Sequence, residues 1–330
     1  ELSYDFATTS DGGCVVLGTT NSINGDISIN KGKKDIVVVK LNNLGNIIWT
    51  KILGGSDDER AAKVISTTDG GYLIIGSTKS KDGDVTINNG ESDVWIVKMS
   101  NIGEIQWQKT YGGVGFETGV DVIEQNSGYY ILASSSNVGT HGESDYWLLK
   151  INVSGQIEWN KFYGGSKSEV ARSFSKSSDG GLVIIGDSES SDGDVPGNKG
   201  SIDLFILKVS ADGSIVWKKD FGGNDEEAFN VIKVLNDDSF IVAGYTSSTV
   251  GDITGNHTTI DALICKFSKD GVLLWQKAYT GNDADYASSF SIYTNGDLLI
   301  SGDYLSKDGD FAKNLGMNDL FLSKITFIDK

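Results

Sequence analysis

Runs of roughly seven apolar-rich residues, some alternating with polar ones and some apolar throughout, recur in groups of four, each closed by Gly, Asp or Asn. Residues 59–113 show the plan. The pattern predicts strand a over Glu59–Thr67, a tight turn at Asp69-Gly70-Gly71 and strand b over Tyr72–Ser77. A loop of about 15 residues rich in Gly, Asp and Asn follows, then strand c over Asp93–Met99. After the turn at Asn101-Ile102-Gly103 comes strand d, Ile105–Tyr111, ending in Gly112-Gly113. Strand c carries continuous apolar runs, Ile36-Val37-Val38-Val39, Val94-Trp95-Ile96-Val97 and Leu204-Phe205-Ile206-Leu207, as expected of a strand covered on both faces.

The groups repeat. Trp49, Trp107, Trp159, Trp217 and Trp275 are separated by 58, 52, 58 and 58 residues, and the same steps relate Asp35, Asp93, Asp145, Asp203, Asp261 and Asp319. Lys40, Lys98, Lys150, Lys208, Lys266 and Lys324 follow them too. Six copies starting near 1, 59, 117, 169, 227 and 285 account for all three series, with one deletion in the third copy, placed in the loop Asn137–Gly142. Four antiparallel strands per copy make a propeller blade, so the expected fold is all-β: a six-bladed β-propeller forming a single domain over 1–330, strand a innermost around a central channel. The five tryptophans are expected at equivalent, mainly buried positions on the outermost strands. The last copy stops at Lys330 before any strand d, and a segment upstream of Glu1 would be in register to supply one.

Composition narrows the function. There are 42 Gly, a single proline and no long run of helix formers. A net charge of -17 with only Arg60 and Arg172 argues against nucleic acid, and no stretch approaches the ~18 apolar residues of a membrane-spanning helix. Cys14 and Cys265 occupy core positions of nonadjacent copies and read as buried, unpaired thiols.

Loops joining b to c and d to a share one face and are long and acidic, so this is the expected functional face. Glu1, Glu59, Glu117, Glu169, Glu227 and Asp285 mark the start of strand a in each copy. As a ring of carboxylates they would hold a cation such as calcium; as hydrogen-bond acceptors they would tie blade to blade, which is the favoured reading. The b–c loops repeat Asp82-Gly83-Asp84, Asp192-Gly193-Asp194 and Asp308-Gly309-Asp310, with shorter relatives ending at Asp26 and Asp252. Calcium wants ~6 to 8 oxygen ligands, so Asx turns that order the loop are preferred there over a metal site. The strand-c lysines lie at the other end of the blade and are expected to pair near the a–b turns. His141 and His257 are the only histidines, both on b–c loops, with no nucleophile motif beside them. Two arginines cannot supply the trio of a sialidase-like site.

The motifs Asp-Gly-Gly-Tyr-x-Ile-x-Gly, Asp-Gly-Asp-Val, Asp-x-Trp-Ile-Val-Lys and Gly-x-Ile-x-Trp-x-Lys-x-Tyr-Gly-Gly resemble the propeller repeats of secreted or surface-attached bacterial proteins, notably from Bacteroidetes, over the whole chain. The resemblance implies an extracellular or cell-surface location and a role in binding or display, and it transfers no catalytic residue. The expectation is a non-enzymatic propeller that takes a protein or glycan on the b–c/d–a face. Two alternatives stand beside it: a calcium-dependent hydrolase or lactonase with a metal at the channel mouth, where the copies differ at Phe116, Lys167, Asp225 and Tyr286, and a glycan-binding module, which would want exposed loop aromatics.

Overall fold

The computed structural model describes all residues except 26, 28, 126, 138, 256–258, 312, 313, 315 and 327–330; His257 and Asp26 therefore lie outside the described residues. The described residues form 23 strands and no helix, in successive antiparallel sheets ordered as the chain runs. The sheets are the blades of an all-β, six-bladed β-propeller, and the chain divides into two compact units.

The first unit, Glu1–Thr140 with Ser144–Tyr163, holds three four-stranded blades. They are β1 to β4 (Leu2–Thr8, Cys14–Thr20, Asp35–Leu41, Ile47–Leu53), β5 to β8 (Glu59–Ser66, Tyr72–Thr78, Asp93–Met99, Ile105–Tyr111) and β9 to β12 (Glu117–Gln125, Gly128–Ser135, Asp145–Asn152, Ile157–Tyr163). The second unit, His141–Glu143 with Gly164–Lys330, holds β13 to β16 (Glu169–Lys176, Leu182–Ser188, Asp203–Val209, Ile215–Phe221) and β17 to β20 (Glu227–Val234, Phe240–Thr246, Asp261–Phe267, Leu273–Tyr279). Its last blade has three strands, β21 to β23 (Asp285–Ile292, Leu298–Tyr304, Asp319–Ile325), as the repeat count predicts.

Blades stack through apolar seams. Val15, Leu17, Ile36 and Val38 of the first blade meet Val64, Tyr72, Ile74 and Val97 of the second, and every residue of β7 is buried, so the doubly covered strand c is confirmed. Each strand a carries a β-bulge at the same repeat position, between Ala61 and Lys63 in β5 and between Ala171 and Ser173 in β13. A second bulge, between Lys98 and Met99, sets Trp107 opposite Lys98.

Three expectations change. The tryptophans occupy equivalent places, but all five are half-buried, because strand d is outermost and keeps one side toward solvent. Cys265 is fully buried while Cys14 is only half-buried: it sits on the face of the first blade that turns away from the second, where Phe6 is 64% exposed although its counterpart Val64 is 1% exposed. Finally, Tyr129 lies opposite Ile151 as Tyr72 lies opposite Met99, so one residue of the third copy's deletion falls in the a–b turn.

Candidate functional site

Of the six strand-a acids, Glu1 is exposed and the other five are buried and occupied. Glu59 is 2% exposed; its Oε2 accepts the Gly55 N–H at 3.0 Å and its Oε1 the Thr78 hydroxyl at 2.7 Å. Glu117 accepts Gly113 N–H at 2.9 Å and the Ser135 hydroxyl, Glu169 accepts Gly165 N–H at 2.6 Å and the Ser188 hydroxyl, and Glu227 accepts Gly223 N–H at 2.7 Å and the Thr246 hydroxyl. Asp285, one carbon shorter, accepts the Ser306 hydroxyl at 2.7 Å and the Leu305 N–H. Glu59, Glu117, Glu169 and Glu227 thus tie the Gly-Gly end of the preceding strand d to strand b of their own blade, whereas Asp285, which follows Thr280-Gly281, bonds among the described residues only the strand-b end of its own blade.

A second carboxyl comes to the same place from strand c of the blade before. A Cβ on Gly54 would lie 2.0 Å from Asp35 Oδ1 and 2.4 Å from Glu59 Oε2; Gly112 stands likewise between Asp93 and Glu117, and Gly222 between Asp203 and Glu227. The missing side chain is what lets two buried carboxyls converge on the backbone. Burial raises the Glu59, Glu117, Glu227 and Asp93 carboxyls above the usual range, and the facing acid pushes Glu59 and Glu117 further. In the fourth blade a third acid joins. Asp220 has its pKa raised to about 7, first by burial and then by Asp203, while Lys199 bridges it at 2.6 Å to Asp252 at 2.8 Å.

The Asp-Gly-Asp loops fold onto the same Gly-Gly segments. Asp82 and Asp84 accept Ser56 N–H and Gly54 N–H, Asp192 accepts Ser166 N–H, Asp194 donates its N–H to Gly164 O, and Asp308 and Asp310 accept Asn282 N–H and Thr280 N–H. At the other end of the blade four of the six strand-c lysines pair with the a–b turns as expected, Lys40 with Asp11, Lys98 with Asp69, Lys208 with Asp179 and Lys324 with Asp297, whereas Lys150 lies over the Tyr130 ring instead.

Among the described residues no group of three or more His, Cys, Asp or Glu side chains is placed to hold a metal. We expect Glu59→Gln to cost about 1–2 kcal/mol through the weakened seam. Calcium should leave the thermal midpoint unmoved; a saturable rise with calcium, reversed by chelator and abolished by Glu59→Gln, would establish a cation site instead.

What the loop face of the first unit does offer is a cleft of about 340 Å³ lined by Tyr4, Lys34, Arg60, Lys79 and Phe116, with Asp58 and Glu59 at its base. Lys34, Arg60 and Lys79 are exposed, and Tyr4 and Phe116 are 41% and 54% exposed. The cleft rests on a rigid backbone frame, in which Glu59 N–H donates to Lys34 O and Lys79 N–H to Asp58 O. Among the described residues none of the three cations makes an ion pair. In a chain of net charge -17 this is an unusual concentration of positive charge. Its signal was in the sequence: the later copies hold Ser, Ile or Asn where the first has Lys34, and none but the second has a cation where Arg60 and Lys79 stand. His141, on the loop face of the third copy, is exposed.

No family model matches the chain. It is similar to Regulatory protein FlaEY of Caulobacter vibrioides, at 21% identity over 224 residues; these are 60% of this chain and 23% of that protein, so the match spans less than a quarter of the relative. Among solved structures it resembles a chain of the complex of KlAtg21 with the coiled-coil of AgAtg16 at 12% identity and a TM-score of 0.51, over 92% of this chain and 78% of that one. A protein of unknown function from Bacteroides caccae is similar at 11% identity and a TM-score of 0.46, over 84% and 81% of the two chains. At these identities the likeness is one of fold alone, and the fold is the β-propeller seen in this chain.

Proposed function

We propose that this protein is a non-enzymatic binding propeller, working outside the cell or on its surface, whose b–c/d–a face takes an acidic partner in the cleft of the first unit. The observation that carries this reading is the cleft itself: three exposed cations, without an ion pair among the described residues, and two exposed aromatic rings on rigid strand ends. Arginine and lysine there would meet carboxylate or sulfate groups, while Tyr4 and Phe116 supply apolar faces for a sugar ring or a peptide side chain. The repeated acids are spent on hydrogen bonds within the seams, which leaves recognition to the residues that differ between copies.

Arrays of acidic glycans and acidic peptides test it. Binding should fall at least about tenfold on Arg60→Glu with Lys79→Glu, and weaken with salt as exposed charge pairs do. Binding indifferent to both changes, or turnover of an ester or glycoside by the purified chain, would remove this reading.

A further inference from the structure

Three blades share a device at the a–b turn that the fifth blade lacks. In blades one, two and four the strand-c lysine tucks under the turn: the side chains of Lys40, Lys98 and Lys208 are 4%, 3% and 7% exposed, each against the turn aspartate. Lys40 Nζ also bonds Thr9 Oγ1, at 3.0 Å, and Lys208 bonds Ser177 Oγ. This needs a glycine just after the turn, because a Cβ on Gly13, Gly71 or Gly181 would stand 2.7, 2.6 and 2.7 Å from the ammonium nitrogen.

The fifth blade has Ser239 at that glycine position and Leu235 where the others carry Thr or Ser. The Ser239 hydroxyl takes the place of the lysine on the aspartate, donating to Asp237 Oδ1 at 2.5 Å. Lys266 loses its room and its hydroxyl acceptor, becomes half-exposed, and among the described residues its ammonium makes no hydrogen bond or ion pair. In the sixth blade Asp297 stands at the glycine position, and the Lys324 side chain is likewise pushed out, 53% exposed, but pairs with that aspartate at 2.7 Å.

The released Lys266 lines a cleft of about 520 Å³ between the fifth and sixth blades. Lys233, also without an ion pair among the described residues, stands on the same wall, Ile241 and Ile292 form apolar surface, and Tyr293, 49% exposed, borders the opening with Lys324 Nζ 5.5 Å from its ring centroid. Asp237 lines the cleft too, its carboxylate held by the Ser239 hydroxyl and N–H and its pKa lowered by those bonds and in part by the Lys266 charge. The geometry points to a binding site for a small organic anion: a carboxylate or sulfate head on Lys266 and Lys233, with a flat, partly apolar body against Tyr293 and the isoleucines. The site lies in the second unit, on turns and strands separate from the cleft of the first unit, and its occupant does not depend on the partner proposed there.

Calorimetric titration with glucuronate, benzoate and glucose tests the assignment on the whole chain. Glucuronate or benzoate should bind saturably and glucose should not. Lys266→Gln should weaken the bound anion about tenfold or more. Ser239→Gly should do the same while keeping or raising the thermal midpoint, because it restores the tucked lysine. Arg60→Glu with Lys79→Glu should leave this binding intact. No binding of either anion, equal binding of glucose, loss on Arg60→Glu with Lys79→Glu, or full-strength binding in either the Lys266 or the Ser239 variant would overturn the site.

Discussion

Gly54→Ala should lower the stability of the first unit by about 3 kcal/mol, near the upper end of overpacking costs, because its added carbon has nowhere to go. The new Cβ would stand 2.0 Å from Asp35 Oδ1 and 2.4 Å from Glu59 Oε2, and neither carboxyl is a loose chain end. Asp35 is fully buried and accepts Lys31 N–H at 2.5 Å, and Glu59 is held by Gly55 and Thr78. Making space means breaking at least one of those bonds inside the protein, where a stranded carboxyl oxygen cannot recover water. Gly197→Ala is the control: a Cβ there meets nothing within 4 Å, and its effect should stay within about 0.5 kcal/mol. Urea unfolding of both variants decides the matter, and a Gly54→Ala loss below about 1 kcal/mol would show that the seam yields.

Acidification from neutral pH to about pH 5 should stabilise the protein. The Glu59, Glu117, Glu227, Asp93, Asp203 and Asp285 carboxyls are all raised, chiefly by burial, and Asp220 titrates at about 7. A carboxyl whose pKa is higher folded than unfolded holds its proton more tightly in the native state. Its contribution is therefore full below the unfolded value, near 4, and is lost as pH rises through the folded value. For Asp220 that window runs from about 4 to about 7 and is worth on the order of 3 kcal/mol, at roughly 1.4 kcal/mol per pKa unit. Lower in pH the sign reverses. Asp69 and Asp179 are lowered to about 2 by their lysine and hydroxyl bonds despite an opposing burial effect, so their contribution is present above the unfolded value and fades as pH falls toward 2. Stability should peak between about pH 4 and 5. The urea midpoint followed from pH 3 to 8 tests this, and in Asp220→Asn the slope between 5 and 7.5 should flatten; a wild-type midpoint that climbs steadily to pH 8 would refute the assignment.

The blades were readable in advance because β periodicity and turn chemistry recur in six copies, so that Asp93–Met99 and Ile105–Tyr111 came out with the strand ends the structure has. Four of the six shared lysines meet the a–b turns for the same reason. What escaped was whatever a single copy does differently. A one-residue gap in the third a–b turn looks the same in the chain as a longer gap in the next loop until strand pairing sets Tyr129 opposite Ile151. The exposure of Cys14 depends on what covers a blade face, which no local pattern records. Lys34, Arg60 and Lys79 were visible as letters, but their convergence on one cleft follows from the lateral stacking of blades. Ser239 gains meaning only when Gly71 is seen to leave room for an ammonium group.

The carboxyl seam also bears on how such a chain could grow. Asp35, Gly54 and Gly55 belong to one copy, whereas Glu59 and Thr78 belong to the next, so this joint, like those at Gly112 and Gly222, is assembled from a trailing half and a leading half. Because the second and fourth copies carry both halves, duplicating either of these 58-residue copies inserts a new joint ready made and leaves the flanking ones matched. The one copy with a side chain at the Gly54 position, the fifth with Thr280, is followed by the shorter acid Asp285, so the two halves of that joint differ together. The seam thus acts as a genetic connector, tolerant of changes in copy number and open to changes in its few contacting atoms only where both halves change.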